Sequence, residues 1–266
     1  MEFEGAVAVI TGAASGIGRS TALALAKLGT DIVVADIDDI RMTEVRHKIE
    51  NLGRRVLTVH CDVSQDADLK NLAAQTISTF GRVDILMNSA GVTVEGDVEK
   101  ISMADWEWIL NINLLGVIHG VHAFLPIMLE SGSGYIINTS SLGGLLPDWG
   151  SSLLEAKTIP YITSKFGVFG FSESLYIYLR PKGIMVSVLC PGGVSTNFQL
   201  NVRHVADDSQ QIVETETPGD IYGGIIKPDD VAQIIIKAME EKSFLILTHP
   251  GSRERLMERG RYLLNL

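Results

Sequence analysis

Val7-Ala8-Val9-Ile10-Thr11-Gly12-Ala13-Ala14-Ser15-Gly16-Ile17-Gly18 is the stretch on which the reading of the fold turns. A short apolar run breaks into a turn rich in glycine, and an alanine-rich helical pattern follows at once. Glycines there let the chain turn tightly and let backbone amides approach a pyrophosphate, while the helix N-terminus favours negative charge. Many glycine-rich turns are only turns. Its position between a first strand and a first helix favours a dinucleotide site, with Gly12, Ser15, Gly16, Ile17 and Gly18 as the expected contacts. The next apolar run ends in Ala35-Asp36-Ile37. An acid at that point can accept hydrogen bonds from both ribose hydroxyls and would repel a 2′-phosphate. Asp36 could instead cap the following helix, but Asp38 and Asp39 are better placed for that. A methyltransferase would use the same turn and the same acid, so at this point two chemistries stand.

Outward from that turn, short β-branched runs alternate with helical patterns. Strands are expected at Val7–Ile10, Ile32–Ala35, Val56–Cys61, Ile85–Asn88, Tyr135–Thr139, Met185–Leu189 and Phe244–Leu247. Helices are expected near 16–28, 39–52, 66–80, 104–129, 161–180 and 228–241. The strands are continuous apolar runs, as for parallel strands buried on both faces. The alternation implies right-handed βαβ crossovers and an α/β, Rossmann-type doubly wound sheet of seven parallel strands with helices on both faces. No repeat or linker divides residues 1–266, so a single dinucleotide-binding and catalytic domain is expected. Residues 197–227 lack a strong period and read as a substrate loop or lid.

Composition narrows the function classes. The 266 residues are 46% hydrophobic and 20% charged, enough for a substantial core. A formal net charge of -10 with no basic run argues against nucleic acid and anionic membrane as partners. The start lacks the basic residues of a secretory signal, and the longest apolar stretch, Gly116 to Leu129, is interrupted by His119, His122 and Pro126. A cytoplasmic protein is expected. Cys61 and Cys190, the only cysteines, sit in no metal or redox spacing and read as small buried residues. His119 and His122 offer two ligands without a third, so no metal is expected.

The fifth helical pattern opens with Tyr161-Ile162-Thr163-Ser164-Lys165. A four-residue step puts Tyr161 and Lys165 on one face, one turn apart. A nearby ammonium favours the phenolate, so such a pair can act as a general acid or base near neutrality. Together these segments resemble the short-chain dehydrogenase/reductase family, in the family's order from about Val7 to Thr196. Thr11 to Gly18 resembles its TGxxxGxG turn, and Asn88-Ser89-Ala90-Gly91 its NNAG with Ser in place of the second Asn. Asp62-Val63, Asn111-Ile112-Asn113-Leu114, Ser140-Ser141, Tyr161-xxx-Lys165 and Pro191-Gly192-Gly193-Val194-Ser195-Thr196 complete the match. A methyltransferase does not explain the last four.

The resemblance implies an enzyme that moves a hydride between a nicotinamide and an alcohol or carbonyl carbon. Tyr161 would exchange a proton with the substrate oxygen and Ser141 would hydrogen-bond that oxygen. Lys165 would hold the nicotinamide ribose and lower the tyrosine pKa, while Asn113 would anchor a water linking Lys165 to solvent. Asp62 and Val63 would meet the adenine. Asn88, Ala90, Gly91, Pro191, Gly192 and Val194 would line the cofactor, and Thr196 would contact the carboxamide. Asp36 selects NAD over NADP. Ser15 stands where NADP users often carry a base; Arg19 begins one helix and Arg41 lies further along the next, so neither is read as a compensating cation.

The stretch from Ser141 to Tyr161 is longer than the family's usual spacing. Its Leu145, Leu146, Trp149, Leu153 and Leu154 are expected to wall an apolar pocket for a hydrophobic or cyclic secondary alcohol or ketone. A helix 161–180 apolar nearly all round suggests a subunit interface, and the resemblance implies a homotetramer, with a dimer second. The rival functions are an NADPH-dependent carbonyl reductase and a non-catalytic NAD-binding regulator.

Overall fold

In the computed structural model, which describes residues 2–146, 157–205 and 224–265, the sheet is built on Val7–Thr11. This strand, β1, is buried along its whole length and has two neighbours. It pairs in parallel with β2 (Asp31–Asp36) and β4 (Ile85–Asn88). With β3 (Val56–His60), β6 (Gly134–Thr139), β7 (Ile184–Cys190) and β9 (Leu245–Leu247) these form one seven-stranded parallel sheet of order β3-β2-β1-β4-β6-β7-β9. The order is the expected one once two short strands are counted. These are β5 (Thr93–Glu95) and β8 (Val202–His204), which pair with each other in a separate parallel ladder.

Alternate residues of β1 go to opposite layers. Ala8 and Ile10 pack with α1 (Gly16–Lys27), α2 (Asp39–Asn51) and α7 (Pro228–Glu241). Val7 and Val9 pack with α3 (Asp66–Phe80), α5 (Gly116–Ser131) and α6 (Ile159–Leu179). Two cores, one on each face, are why the strands read as unbroken apolar runs, and each fully buried Ile or Val contributes about 1.5–3 kcal/mol.

The helix expected over 104–129 is α4 (Met103–Leu110) and α5 joined through a π-turn at Asn111–Leu115. The combined helix, Met103–Ser131, has the length and composition to cross a membrane, a longer apolar element than the sequence reading allowed. Its Val121, Phe124 and Met128 are buried in the core on the sheet. A C-terminal helix, α8 (Ser252–Leu263), had no counterpart in the sequence reading.

Two expectations change. Leu145 and Leu146 do not wall the cleft; they are buried with Leu142, Val188 and Cys190 and serve as core beyond β7. Trp149, Leu153 and Leu154 lie outside the described residues, as do positions 206–223 of the segment read as a lid. Its described start, 197–205, forms a tight turn and then β8.

Candidate functional site

The carboxyl ends of β1, β2, β4, β6 and β7 open into one cleft of about 990 Å³. It runs from Asp36, Asp62 and Val63 past the glycine turn to Ser141, Tyr161, Lys165 and Thr196. This is where an open α/β sheet binds ligands, because the strand order reverses at β1 and β4 and leaves a crevice between their loops.

At the first end, the turn is shaped by lack of side chains. A Cβ on Gly18 would overlap the Gly12 carbonyl oxygen, and one on Gly12, at φ +67°, would come within 2.7 Å of the Ala90 backbone. Ser15 takes the N-cap position of α1 with no side-chain capping bond, and the first turn of α1 has no acidic residue. Amides at that helix end are therefore free to meet an anion. Asp36 accepts the Ala14 amide at 2.9 Å through one oxygen and the Ile37 and Asp38 amides at 2.8 and 3.2 Å through the other. Asp62 accepts the Ser64 amide and hydroxyl at 2.9 and 2.8 Å. Behind it, His119 Nδ1 meets the Val63 carbonyl at 3.0 Å, which is where that histidine's polarity goes. His122 approaches Asp66 instead, at 3.6 Å. Arg41, read from the sequence as too distant, does line the cleft, with its guanidinium 3.4 Å from Asp38.

At the other end, the Ser141 hydroxyl accepts the Gly143 amide at 3.1 Å and lines the cleft with Tyr161. Burial pushes the Tyr161 phenol above its ordinary value, and the neighbouring Ser141 hydroxyl opposes this only in part. Burial likewise brings the Lys165 ammonium down to about 8. Lys165 donates to the Thr139 carbonyl at 2.9 Å, and its Nζ lies 5.6 Å from the centre of the Tyr161 ring. The expected depression of the tyrosine pKa is thus reversed in the protein by itself, because desolvation outweighs an ammonium aimed at a backbone carbonyl. Ser140, the other serine of the pair, is buried and donates to the Lys165 carbonyl at 2.7 Å, which fixes α6 against β6.

Of the residues read from the sequence as catalytic or cofactor-contacting, all line this cleft except Asn88 and Asn113. Asn88 sits behind it and donates to Asn138 at 2.9 Å; Asn138 donates to Ser172 at 3.0 Å, a buried polar ladder from β4 to α6. Asn113, in the π-turn, bonds through its side chain to both the segment before β5 and α6. It accepts the Val92 amide and donates to the Val92 carbonyl, both at 2.9 Å, and donates to Ser164 at 3.0 Å. A π-turn exposes an extra register of side chains and backbone at one point of a helix, and here it clamps the approach to β5 onto α6.

The sequence reading missed the far wall. Phe198 meets the Tyr161 ring edge-on with centroids 5.7 Å apart, and Trp108 carries the Arg203 guanidinium 3.6 Å above its ring. Val92, Ile112 and Ile225 complete this wall. Phe198 follows Thr196 by two residues and could have been suspected; Trp108 and Arg203 meet only through folding.

Comparison with known proteins agrees with the geometry. Residues 6–207 match the family model of the short chain dehydrogenases. The chain is 33% identical, over 91% of its length and 92% of the relative's, to (2S)-[(R)-hydroxy(phenyl)methyl]succinyl-CoA dehydrogenase subunit BbsD of Thauera aromatica. It is 31% identical to cyclohexanol dehydrogenase of an Acinetobacter species, over 88% of this chain and 87% of that one. A short chain dehydrogenase/reductase of Burkholderia phymatum, solved in complex with NAD, superposes with a TM-score of 0.85 at 32% identity, covering 100% of this chain and 96% of that chain. With the cleft, the sheet order and most of the length in agreement, the chain belongs to the short chain dehydrogenase family of oxidoreductases.

Proposed function

We propose that the protein is an NAD-dependent dehydrogenase that interconverts a hydrophobic or cyclic secondary alcohol and its ketone. The observation that carries this is the joining of two half-sites in one cleft: Asp36 and the glycine turn at one end, Ser141, Tyr161 and Lys165 at the other. A dinucleotide fits the groups present. The free amides at the start of α1 suit the pyrophosphate, Asp36 suits the adenosine ribose, and Asp62 with Val63 suits the adenine. Lys165, Thr196 and the Pro191–Val194 stretch suit the nicotinamide half. Bound there, the nicotinamide supplies the acceptor or donor of the hydride.

The chain's own residues handle the proton and the positioning. In alcohol oxidation Tyr161 takes the hydroxyl proton, and in ketone reduction it returns it, while the Ser141 hydroxyl holds the substrate oxygen beside the phenol. Lys165 would hold the ribose hydroxyls of the nicotinamide half, and it favours the phenolate whenever it carries its charge. Asn113 holds Val92 and Ser164, and so keeps the segment before β5 and the start of α6 in register. The aromatic wall of Trp108 and Phe198 supports an apolar ring as substrate, and the cyclohexanol dehydrogenase among the relatives points the same way. Leu115, Leu129, Ile177 and Tyr178 are exposed on α5, its π-turn and α6, which supports a homotetramer. The buried, free thiols support a cytoplasmic location.

Arg41 at the rim favours the second reading, an NADPH-dependent reductase, because a guanidinium can meet a 2′-phosphate. A screen of cyclic, aromatic and short polar secondary alcohols with NAD and with NADP, followed by absorbance of the reduced nicotinamide, tests the proposal. Turnover of apolar rings with NAD is expected; best turnover of sugars or small hydroxy acids would overturn the substrate class.

A further inference from the structure

His249 follows β9, is 5% exposed, and belongs to none of the motifs above. Its ring lies behind the loop that leaves β7. Nδ1 faces the Gly192 amide at 3.2 Å and the Thr248 hydroxyl at 2.7 Å. Nε2 lies 3.1 Å from the carbonyl of Gly193 and 3.1 Å from that of Gly224. These partners set the tautomer. An amide donor requires a bare Nδ1, and two carbonyls require the proton on Nε2. A Cβ on Gly192 would come within 2.8 Å of Nδ1, so the ring and the glycine fit only as a pair.

The ring therefore touches both flanks of one structural joint. Gly193 accepts the Ile226 amide at 3.1 Å, and Ser195 donates to the Ile226 carbonyl at 2.9 Å, a parallel bridge through Val194. Gly224 and Ile226 belong to the chain leading into α7, whereas Gly192 to Thr196 line the same cleft as Tyr161 and Lys165. Ser252 anchors the histidine's own backbone by donating to its carbonyl at 2.9 Å. Among the described residues, no other side chain is bonded to both stretches at once.

We infer that His249 is a positioning residue that sets the backbone of the Gly192–Thr196 wall and so the grip on the nicotinamide half of the cofactor. The inference rests on the dinucleotide reading above. A phenylalanine at 249 would fill the ring's space but remove one partner from the Gly192 amide, which keeps the Thr248 hydroxyl at 3.3 Å, and from the Gly193 carbonyl, which keeps the Ile226 amide, and would take from the Gly224 carbonyl its bond to the ring, so the wall would relax. The adenine half, held by Asp36, Asp62 and the glycine turn, does not depend on it.

The test compares binding of NADH and of ADP-ribose, which lacks the nicotinamide, to the unmodified protein and to His249→Phe, His249→Asn and Thr248→Val. In His249→Phe the dissociation constant for NADH should rise about fivefold or more, the worth of one lost hydrogen bond, with ADP-ribose binding unchanged. His249→Asn, which keeps an acceptor and a donor, should recover part of the loss. Thr248→Val, the mildest change, should shift the NADH to ADP-ribose ratio in the same direction and decides the matter if the others do not fold. A ratio equal to that of the unmodified protein in every folded variant would overturn the inference. Failure of the unmodified protein to bind NADH at all would instead overturn the cofactor reading beneath it.

Discussion

The Asp36 carboxylate accepts the Ala14 amide at 2.9 Å, so the acid that ends β2 and the turn that follows β1 are fixed to each other. A carboxylate pinned by three amides cannot swing away from an incoming 2′-phosphate. Charges about 4 Å apart at an effective dielectric near 20 repel by roughly 4 kcal/mol before screening. A quarter of that already gives several-fold discrimination. We therefore expect NAD to be preferred over NADP by about tenfold or more in kcat/KM. Asp36→Ser with Ile37→Arg should narrow or invert the ratio, helped by Arg41 already at the rim. Equal efficiency with both cofactors in the unmodified enzyme would show that Asp36 does not govern the choice.

Lys165 should leave a signature in stability. Its folded pKa is about 8 against an ordinary 10.5, so above pH 8 the unfolded chain holds the proton more tightly than the folded one. Stability contributed at this site therefore rises with pH between those values. Relative to Lys165→Met, the unmodified protein should gain about 1 kcal/mol between pH 8 and pH 9, read from urea denaturation without cofactor. A difference that stays flat over that interval would mean that the ammonium is solvated rather than buried.

The thiols of Cys61 and Cys190 are pushed up to about 12, chiefly by burial. They lie beyond β3 and at the end of β7, five strand neighbours apart in the sheet, far outside the reach of a disulfide. A thiol reagent at pH 8 should find almost no reactive sulfur in the folded protein and two per chain after unfolding without reductant. Fewer than two in the unfolded chain would mean that a disulfide exists.

The parts legible in the sequence were those with a local cause. Buried parallel strands have to be apolar on both faces, so Val7–Thr11 and its neighbours announce themselves. Gly18 answers to the Gly12 carbonyl six residues earlier, and Gly12 to a left-handed turn, although the Ala90 backbone that also crowds Gly12 is distant in sequence. The one-turn spacing of Tyr161 and Lys165 is likewise local. What could not be read depends on distant pairing. β5 and β8 are three residues each and exist because Thr93 aligns with Val202. Leu145 and Leu146 look the same in sequence whether they wall a cleft or fill a core, and the packing of Val188 and Cys190 decided for the core. Half of the α8 sequence SRERLMERGRYL is charged, so its apolar period is faint. His249 carries no signal in its own neighbourhood, since its partners lie 56 residues away at Gly193 and 25 away at Gly224.

The central claim is that Tyr161 carries the proton in a cleft that also binds the nicotinamide, and Tyr161→Phe tests it most directly. The ring and its contact with Phe198 survive the change, and only the phenol hydroxyl is removed. With the best alcohol from the screen and saturating NAD, turnover should fall by about 100-fold or more, the usual worth of a general acid–base group, while NADH binding stays at the unmodified level. Turnover above about a tenth of the unmodified rate, with cofactor binding intact, would contradict the account, because so small a loss lies below what a proton-transfer residue contributes.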